Sequence, residues 1–361
     1  MKSNVPDTKD AAGGGGARAA GAGRVTLKEI ASKAGVSIST ASLVLSGKAT
    51  QRRISTEIER RVRRIALEHD YSPNLLVRSM QQGRTHVLSF YNAYRERKRG
   101  DLYMDRLSTA LEQAAGRHGY DLLLHCNYRR SEDEIYRFLN GGLCDGLVFY
   151  GPLHADPLID LLRASRLPIV ILDHMDAEGV LSSVCDDWRG GMRQIAECLH
   201  AHGHVRIGAV EGFPASDARL RIGALREELG RLGLALPEEN VETAYQGFRT
   251  PDEALERLLA RPEPPTALFC WHDRVGYEVL EACDRLGVRV PHDLSLIGYD
   301  GVHWPSTSPH ILASVAVPLE DLADAAVHLL DDLIEGRRER PVQEIYPVSL
   351  LTGTTLSHPP A

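Results

Sequence analysis

The feature that most constrains this 361-residue chain is a repeat of short apolar runs and amphipathic stretches beginning near residue 86. The runs Val87–Tyr91, Asp121–Cys126, Gly146–Tyr150, Pro168–Asp173, Arg206–Val210, Thr266–Trp271, Leu294–Tyr299 and Ala313–Val317 read as strands by length and composition. Between them, Leu102–His118, Asp156–Ser165, Arg189–His202, Asp217–Leu232, Pro251–Leu259 and Arg274–Leu286 read as amphipathic helices. Strands alternating with helices in this way build parallel sheets covered on both faces. The pattern runs for roughly 270 residues, enough for two doubly wound α/β lobes, whose ligands bind at the carboxyl ends of the strands.

The segment before it has a different grammar. Residues 1–23 include Ala11–Ala22, a run dominated by Gly and Ala that cannot bury enough surface to offset its ordering entropy, so a disordered tail is expected. Residues 24–71 read as three short helices. Thr26-Leu27-Lys28-Glu29 is a capping box, and Ile30, Ala31 and Ala34 mark one apolar face before Gly35 stops the helix. Ser37 caps a second helix with Ala41, Val44 and Leu45 facing inward, and Ser55 opens a third carrying Ile58, Val62, Ile65 and Ala66. Two short helices joined by a tight glycine-containing turn describe a helix-turn-helix. Ser72-Pro73 then signals a brief fourth helix, Asn74 to Met80, marginal by itself. It would fall in a linking segment over 72–85, ahead of a core over 86–361.

Charge separates the same regions. The whole chain carries −7, yet Arg24–Arg84 holds 12 Lys/Arg against 5 Asp/Glu, a net +7, and residues 1–23 a further +1, which leaves −15 on residues 85–361. A small basic head on a large acidic body is the asymmetry of a nucleic-acid-binding module joined to another domain. The six cysteines are widely spaced without a C-x-x-C pair, and most lie in apolar runs, so reduced core thiols are expected rather than disulfides or a metal cluster. No stretch approaches the roughly 20 apolar residues of a membrane span. Met1–Gly23 lacks the apolar segment of a secretion signal, so a cytoplasmic protein is expected.

The motifs in order are specific. Val25-Thr26-Leu27-Lys28-Glu29-Ile30-Ala31 through Gly35-Val36-Ser37-Ile38-Ser39-Thr40-Ala41-Ser42, then Tyr71-Ser72-Pro73-Asn74 with Arg78-Ser79, are followed by four core motifs. These are Asp145-Gly146-Leu147-Val148, Arg219-Leu220-Arg221, Arg289-Val290-Pro291 and Leu294-Ser295-Leu296-Ile297-Gly298-Tyr299-Asp300. Over residues 24–355 the chain resembles the lactose- and purine-repressor-like (LacI/GalR) transcriptional regulators. The resemblance implies a helix-turn-helix head with a hinge helix, then a periplasmic-binding-protein-like core of two lobes. It places one lobe at about 86–185 plus 318–345 and the other at about 186–317 plus 346–357. It also implies a homodimer on a pseudo-palindromic DNA operator, controlled by a small-molecule effector such as a sugar or related metabolite, with no cofactor.

Short polar side chains at the start of a recognition helix suit base edges and phosphates. Ser37, Ser39, Thr40 and Ser42 supply them, and the resemblance adds Thr26, Leu27 and Ser46, with Ile38, Ser39 and Leu43 as the base-choosing residues. Leu43 departs from the family, which commonly places Arg or another polar residue there. Leu43 therefore lacks the bidentate guanine contact worth roughly 1–3 kcal/mol and is left to a thymine methyl. Asn74, Val77 and Met80 would face the minor groove, Met80 standing where the family inserts a leucine wedge. For the effector, Arg221 and Asp300 align with the family's ligand-binding Arg and Asp, with Tyr103, Tyr150, Asp173, Asp217, Trp271 and Asp273 on the same cleft; a fixed guanidinium facing a carboxylate grips hydroxyls, ring nitrogens or an acidic group.

The competing reading, a soluble solute-binding protein of the periplasmic-binding type, explains the lobes but not the basic head. An enzyme is not expected: the sequence has no glycine-rich phosphate loop, Gly-x-Ser-x-Gly elbow or His-Glu-x-x-His. His202-Gly203-His204 reads as a helix end turning into the next strand rather than as metal ligands.

Overall fold

The computed structural model describes residues 25–72, 79, 83–95, 100–151, 157–212, 218–245, 248–339 and 341–360. Its compact units are Met1–Gly83 and Arg84–Ala361. The expected tail (1–23) lies outside the described residues, as does the expected hinge helix apart from Ser79.

The first unit is built from α1 (Leu27–Ala34), α2 (Ile38–Leu45) and α3 (Thr56–Glu68). Thr26 and Glu29 exchange the reciprocal bonds of a capping box, fixing where α1 begins. Gly35 ends α1 at φ 63°, a left-handed cap that costs a glycine little. Ser37 and Ser55 accept from Thr40 N and Ile58 N to start α2 and α3. The three helices close on Ile30, Ala31, Ala34, Ala41, Val44, Val62, Ile65 and Ala66. So small a core depends on each member. Ile30 is fully buried there, and Ile30→Ala is expected to cost about 2–4 kcal/mol. Calorimetry on the full chain should show the head's transition falling while that of the core stays in place. A single transition moving as a whole would contradict two independent units.

The second unit holds two six-stranded sheets. The first is formed by β1 (Val87–Asn92), β2 (Asp121–Leu124), β3 (Gly146–Tyr150), β4 (Ile169–Leu172), β5 (Ser182–Asp186) and β11 (Gln343–Tyr346). The second takes β6 (Ile207–Glu211), β7 (Val241–Thr243), β8 (Ala267–Cys270), β9 (Ser295–Asp300), β10 (Ala313–Ala316) and β12 (Ser349–Leu351). Their orders, β2-β1-β3-β4-β5-β11 and β7-β6-β8-β9-β10-β12, are the same doubly wound plan twice. Among the described residues every pairing of these strands is parallel except β10–β12, where the chain returns as an antiparallel edge. The helices are α4 (Leu102–Arg117), α5 (Glu132–Leu139), α6 (Leu158–Arg163), α7 (Trp188–Ala201), α8 (Ala218–Arg231), α9 (Pro251–Leu259), α10 (Asp273–Leu286) and α11 (Leu319–Ile334). The chain passes between the sheets after β5, after β10 and after β11.

The eight expected strands and six expected helices are all present, with ends moved by a few residues. The expected strand Asp121–Cys126 stops at Leu124, and because β2 is a sheet edge Cys126 is exposed rather than core. Elements that the apolar pattern does not disclose are β5, β7, β11, β12, α5 and α11. Ser182-Ser183-Val184-Cys185-Asp186 has little strand composition, yet all five residues are buried between β4 and β11. Pro318 offers no side-chain cap to announce α11, which is held by packing on α4 and on β3, β4 and β5. His204 lies past the end of α7, buried against Thr266, Ser295 and the Ser357 carbonyl. Among the described residues no helix is long and apolar enough to cross a membrane.

Candidate functional site

In the first unit, burial of Ala41 and Val44 turns the start of α2 outward. Ser37, Ile38 and Ser39 are exposed, and Thr40, Ser42 and Leu43 half-buried. Ile38 is 49% exposed although it is a large apolar side chain, so its contact surface is not used within the head. Lys28, Lys33, Lys48, Arg52 and Arg53 are exposed in the same unit. Four of the expected contact hydroxyls already have partners: Thr26 binds Glu29, Ser37 and Thr40 bind each other at 2.8 Å, and Ser46 donates to the Leu43 carbonyl at 3.2 Å. Leu27 packs against the head core. Asn74, Val77 and Met80 lie outside the described residues.

In the second unit the strand topology reverses between β1 and β3 and between β6 and β8, and side chains gather at the carboxyl ends of the strands. Asp173 follows β4 and Asp300 ends β9, the same position in the two sheets. Both have positive φ, 77° and 116°, conformations that side chains rarely adopt and that cluster at ligand clamps. Arg221, in the first turn of α8, lies 3.6 Å from Asp300 and donates to the Trp271 carbonyl at 3.0 Å. Its guanidinium sits 4.0 Å above the Tyr299 ring. The Tyr299 hydroxyl donates in turn to the Asp186 carboxylate at the end of β5. Tyr103, in the first turn of α4, feels the charges of Asp173, Asp300, Asp186 and Arg221, and Tyr150 those of Tyr103 and Asp173.

Burial, reinforced by these carboxylates, drives both phenols well above their ordinary range. Burial also raises the carboxyl of Asp300 well above normal and raises that of Asp186, each against the pull of Arg221. For Arg221 burial favours the neutral form, but the surrounding oxygens outweigh it and the guanidinium stays charged. The result is one fixed cation among carboxylates and phenols, a set matched to a ligand rich in donors and acceptors.

Two family models match the chain: "Bacterial regulatory proteins, lacI family" over residues 26–74, and "Periplasmic binding protein-like domain" over residues 196–356. The HTH-type transcriptional repressor PurR of Escherichia coli O139:H28 is 28% identical over 331 residues, 89% of this chain and 94% of that protein. The chain thus joins a lacI-family head to a periplasmic-binding-protein-like domain. PurR of Pasteurella multocida is likewise 28% identical, over 89% of the regulator and 96% of its own length. Among solved structures, the lac repressor dimer bound to operator and the anti-inducer ONPF has a TM-score of 0.78 at 21% identity, covering 92% of the regulator and 98% of that chain. The CelR–cellobiose complex has a TM-score of 0.65 at 24% identity, covering 92% and 100%.

Within the regulator's core the expected effector residues do not all converge. Tyr103, Tyr150, Asp173, Arg221 and Asp300 are linked as above. Asp273 is engaged elsewhere. Its carboxylate, 1% exposed, accepts from Val302 N and from the Ser314 hydroxyl, both at 2.6 Å. Burial pushes it up to about 7, and its bonds hold the loop that follows β9. Trp271 packs against both large core clusters of this unit, and its carbonyl serves Arg221. Asp217 lies outside the described residues. Nearby, His272 caps α10, and the exposed Phe248 stacks on Tyr245. Asp186 and Tyr299 join the site although no sequence pattern marks them as binding residues. The available signal for Asp186 was an acid closing a run that ends at a lobe boundary.

Proposed function

We propose that the regulator is a cytoplasmic homodimeric transcriptional repressor that acts by binding and carries out no turnover. Paired heads hold a near-palindromic duplex, and a small molecule in the core cleft, a sugar or related metabolite, sets how firmly they hold it. The observation that carries this reading is the convergence of Arg221, Asp300, Asp173, Tyr103 and Tyr150 at the strand ends of a unit that follows a basic helix-turn-helix. Its relatives agree with it: PurR is a repressor, the lac repressor is seen as a dimer on operator, and CelR holds cellobiose.

On DNA, Ser37, Ile38, Ser39, Thr40, Ser42 and Leu43 would enter the major groove from the start of α2, with Thr26, Leu27 and Ser46 toward the backbone. Leu43 and Ile38 are apolar, so the half-site should contain thymine methyls where other members read guanine. Asn74, Val77 and Met80 would occupy the minor groove between the heads.

Selection of random duplexes on the full-length protein, with and without a small-molecule extract of cells, tests this reading. Two symmetric half-sites should be enriched, their core positions shifting when Leu43→Arg restores a guanidinium. Enrichment no better than that of random sequence under either condition would overturn it.

A further inference from the structure

We infer that the hydrogen bond from Tyr299 to Asp186 is a strut between the lobes, making these two positioning residues that tie the effector cleft to the hinge. Tyr299 belongs to β9 in the second sheet, whereas Asp186 ends β5 in the first, where the chain crosses to α7. The bond therefore spans the two lobes at a crossover. The next residue is tied to a second crossover, since Val317 N donates to the Asp300 carbonyl at 3.2 Å. Tyr299-Asp300 thus holds two of the three passages between the lobes. The same dipeptide carries the ring beneath Arg221 and the carboxylate beside it.

Burial makes the strut consequential. Tyr299 is fully buried and Asp186 is 3% exposed, so neither the hydroxyl nor the carboxylate can turn to water if the ends of β5 and β9 separate. Gly191 on α7 leaves room for the ring: a Cβ there would stand 2.8 Å from Tyr299 Cε2. The bond is made at one spacing of the strand ends and lost at others, which gives the hinge a preferred angle. A molecule engaging Arg221 and Asp300 then acts on the residues that set that angle.

The inference rests on the proposed cleft but not on DNA recognition, because its test is made on the full-length protein without DNA. Hydrogen exchange is followed by mass spectrometry in Tyr299→Phe, Asp186→Ala and Asp186→Asn. The first two should speed exchange roughly tenfold in segments 186–190 and 314–319, leaving β1, β3 and the head helices at wild-type rates. Asp186→Asn keeps an oxygen acceptor and should stay within about twofold of wild type. A rise spread evenly over all core strands would reduce the bond to ordinary core stability and overturn the inference, as would unchanged exchange at both crossovers. Tyr299→Phe keeps the buried ring, so the test stands on this variant should Asp186→Ala fail to fold.

Discussion

Removing residues 1–83 abolishes sequence-specific DNA binding and leaves a folded core. The loss is expected to reach the full gap between specific and non-specific binding, about 10³-fold or more at physiological salt. Two facts set this size. The positive charge resides in the removed segment, and residues 85–361 carry −15, so the remaining body repels phosphates instead of attracting them. The core should not notice the cut, because Ile30, Val62 and Ile65 belong to a cluster of their own. Arg84, now the first residue, still pairs with Glu335 and donates to the Ile334 carbonyl at 3.0 Å, keeping the new end anchored on the last turn of α11. Fluorescence anisotropy on the selected duplex and calorimetry of the fragment are the measurements. Retained specific binding would place recognition outside the head, and an unfolded fragment would join the two units energetically.

Arg221→Ala produces the largest effect in the core. The side chains of Arg221 and Asp300 are only 13% and 12% exposed, and removing the cation strands Asp300 and Asp186 in a buried site. Breaking a buried pair by deleting one partner costs about 3–5 kcal/mol, on the order of 10 °C in Tm for a unit of this size. The loss carries a pH signature. Asp300 and Asp186 have folded pKa values above their unfolded ones, so the folded state keeps protons that the unfolded chain has released. Their contribution to stability therefore declines as pH rises from the ordinary carboxylate range toward the raised folded values. Without Arg221 both values rise further, and the variant should recover much of its stability near pH 5. Arg221→Lys restores the charge but not the planar group over Tyr299, so it should regain stability more fully than effector binding. A variant as stable as wild type at pH 8 would show that Arg221 is not the counter-charge.

Much of this organisation was legible along the chain because it depends on near neighbours. Thr26 with Glu29, Gly35, Ser37 and Ser55 mark helix ends through bonds spanning three or four residues, and those ends stand where the residues put them. Helical spacing of Ile30, Ala31 and Ala34, and the apolar runs at 146–150 and 267–270, likewise disclose buried faces. The sequence determined the charge division between head and body, the alternation of strand and helix, and the ordered motifs that identify the family.

Tertiary structure decided what depends on distant partners. Ser182–Asp186 becomes a central strand because β4 and β11 flank it, a condition its own side chains do not encode. Asp273 and Asp300 are both acids near strand ends, yet one props a loop through Val302 and Ser314 while the other meets Arg221. The bond from Tyr299 to Asp186 joins residues 113 positions apart. Local propensity acts over a few residues, whereas the burial that selects a carboxylate's partner exists only after the sheets have been assembled.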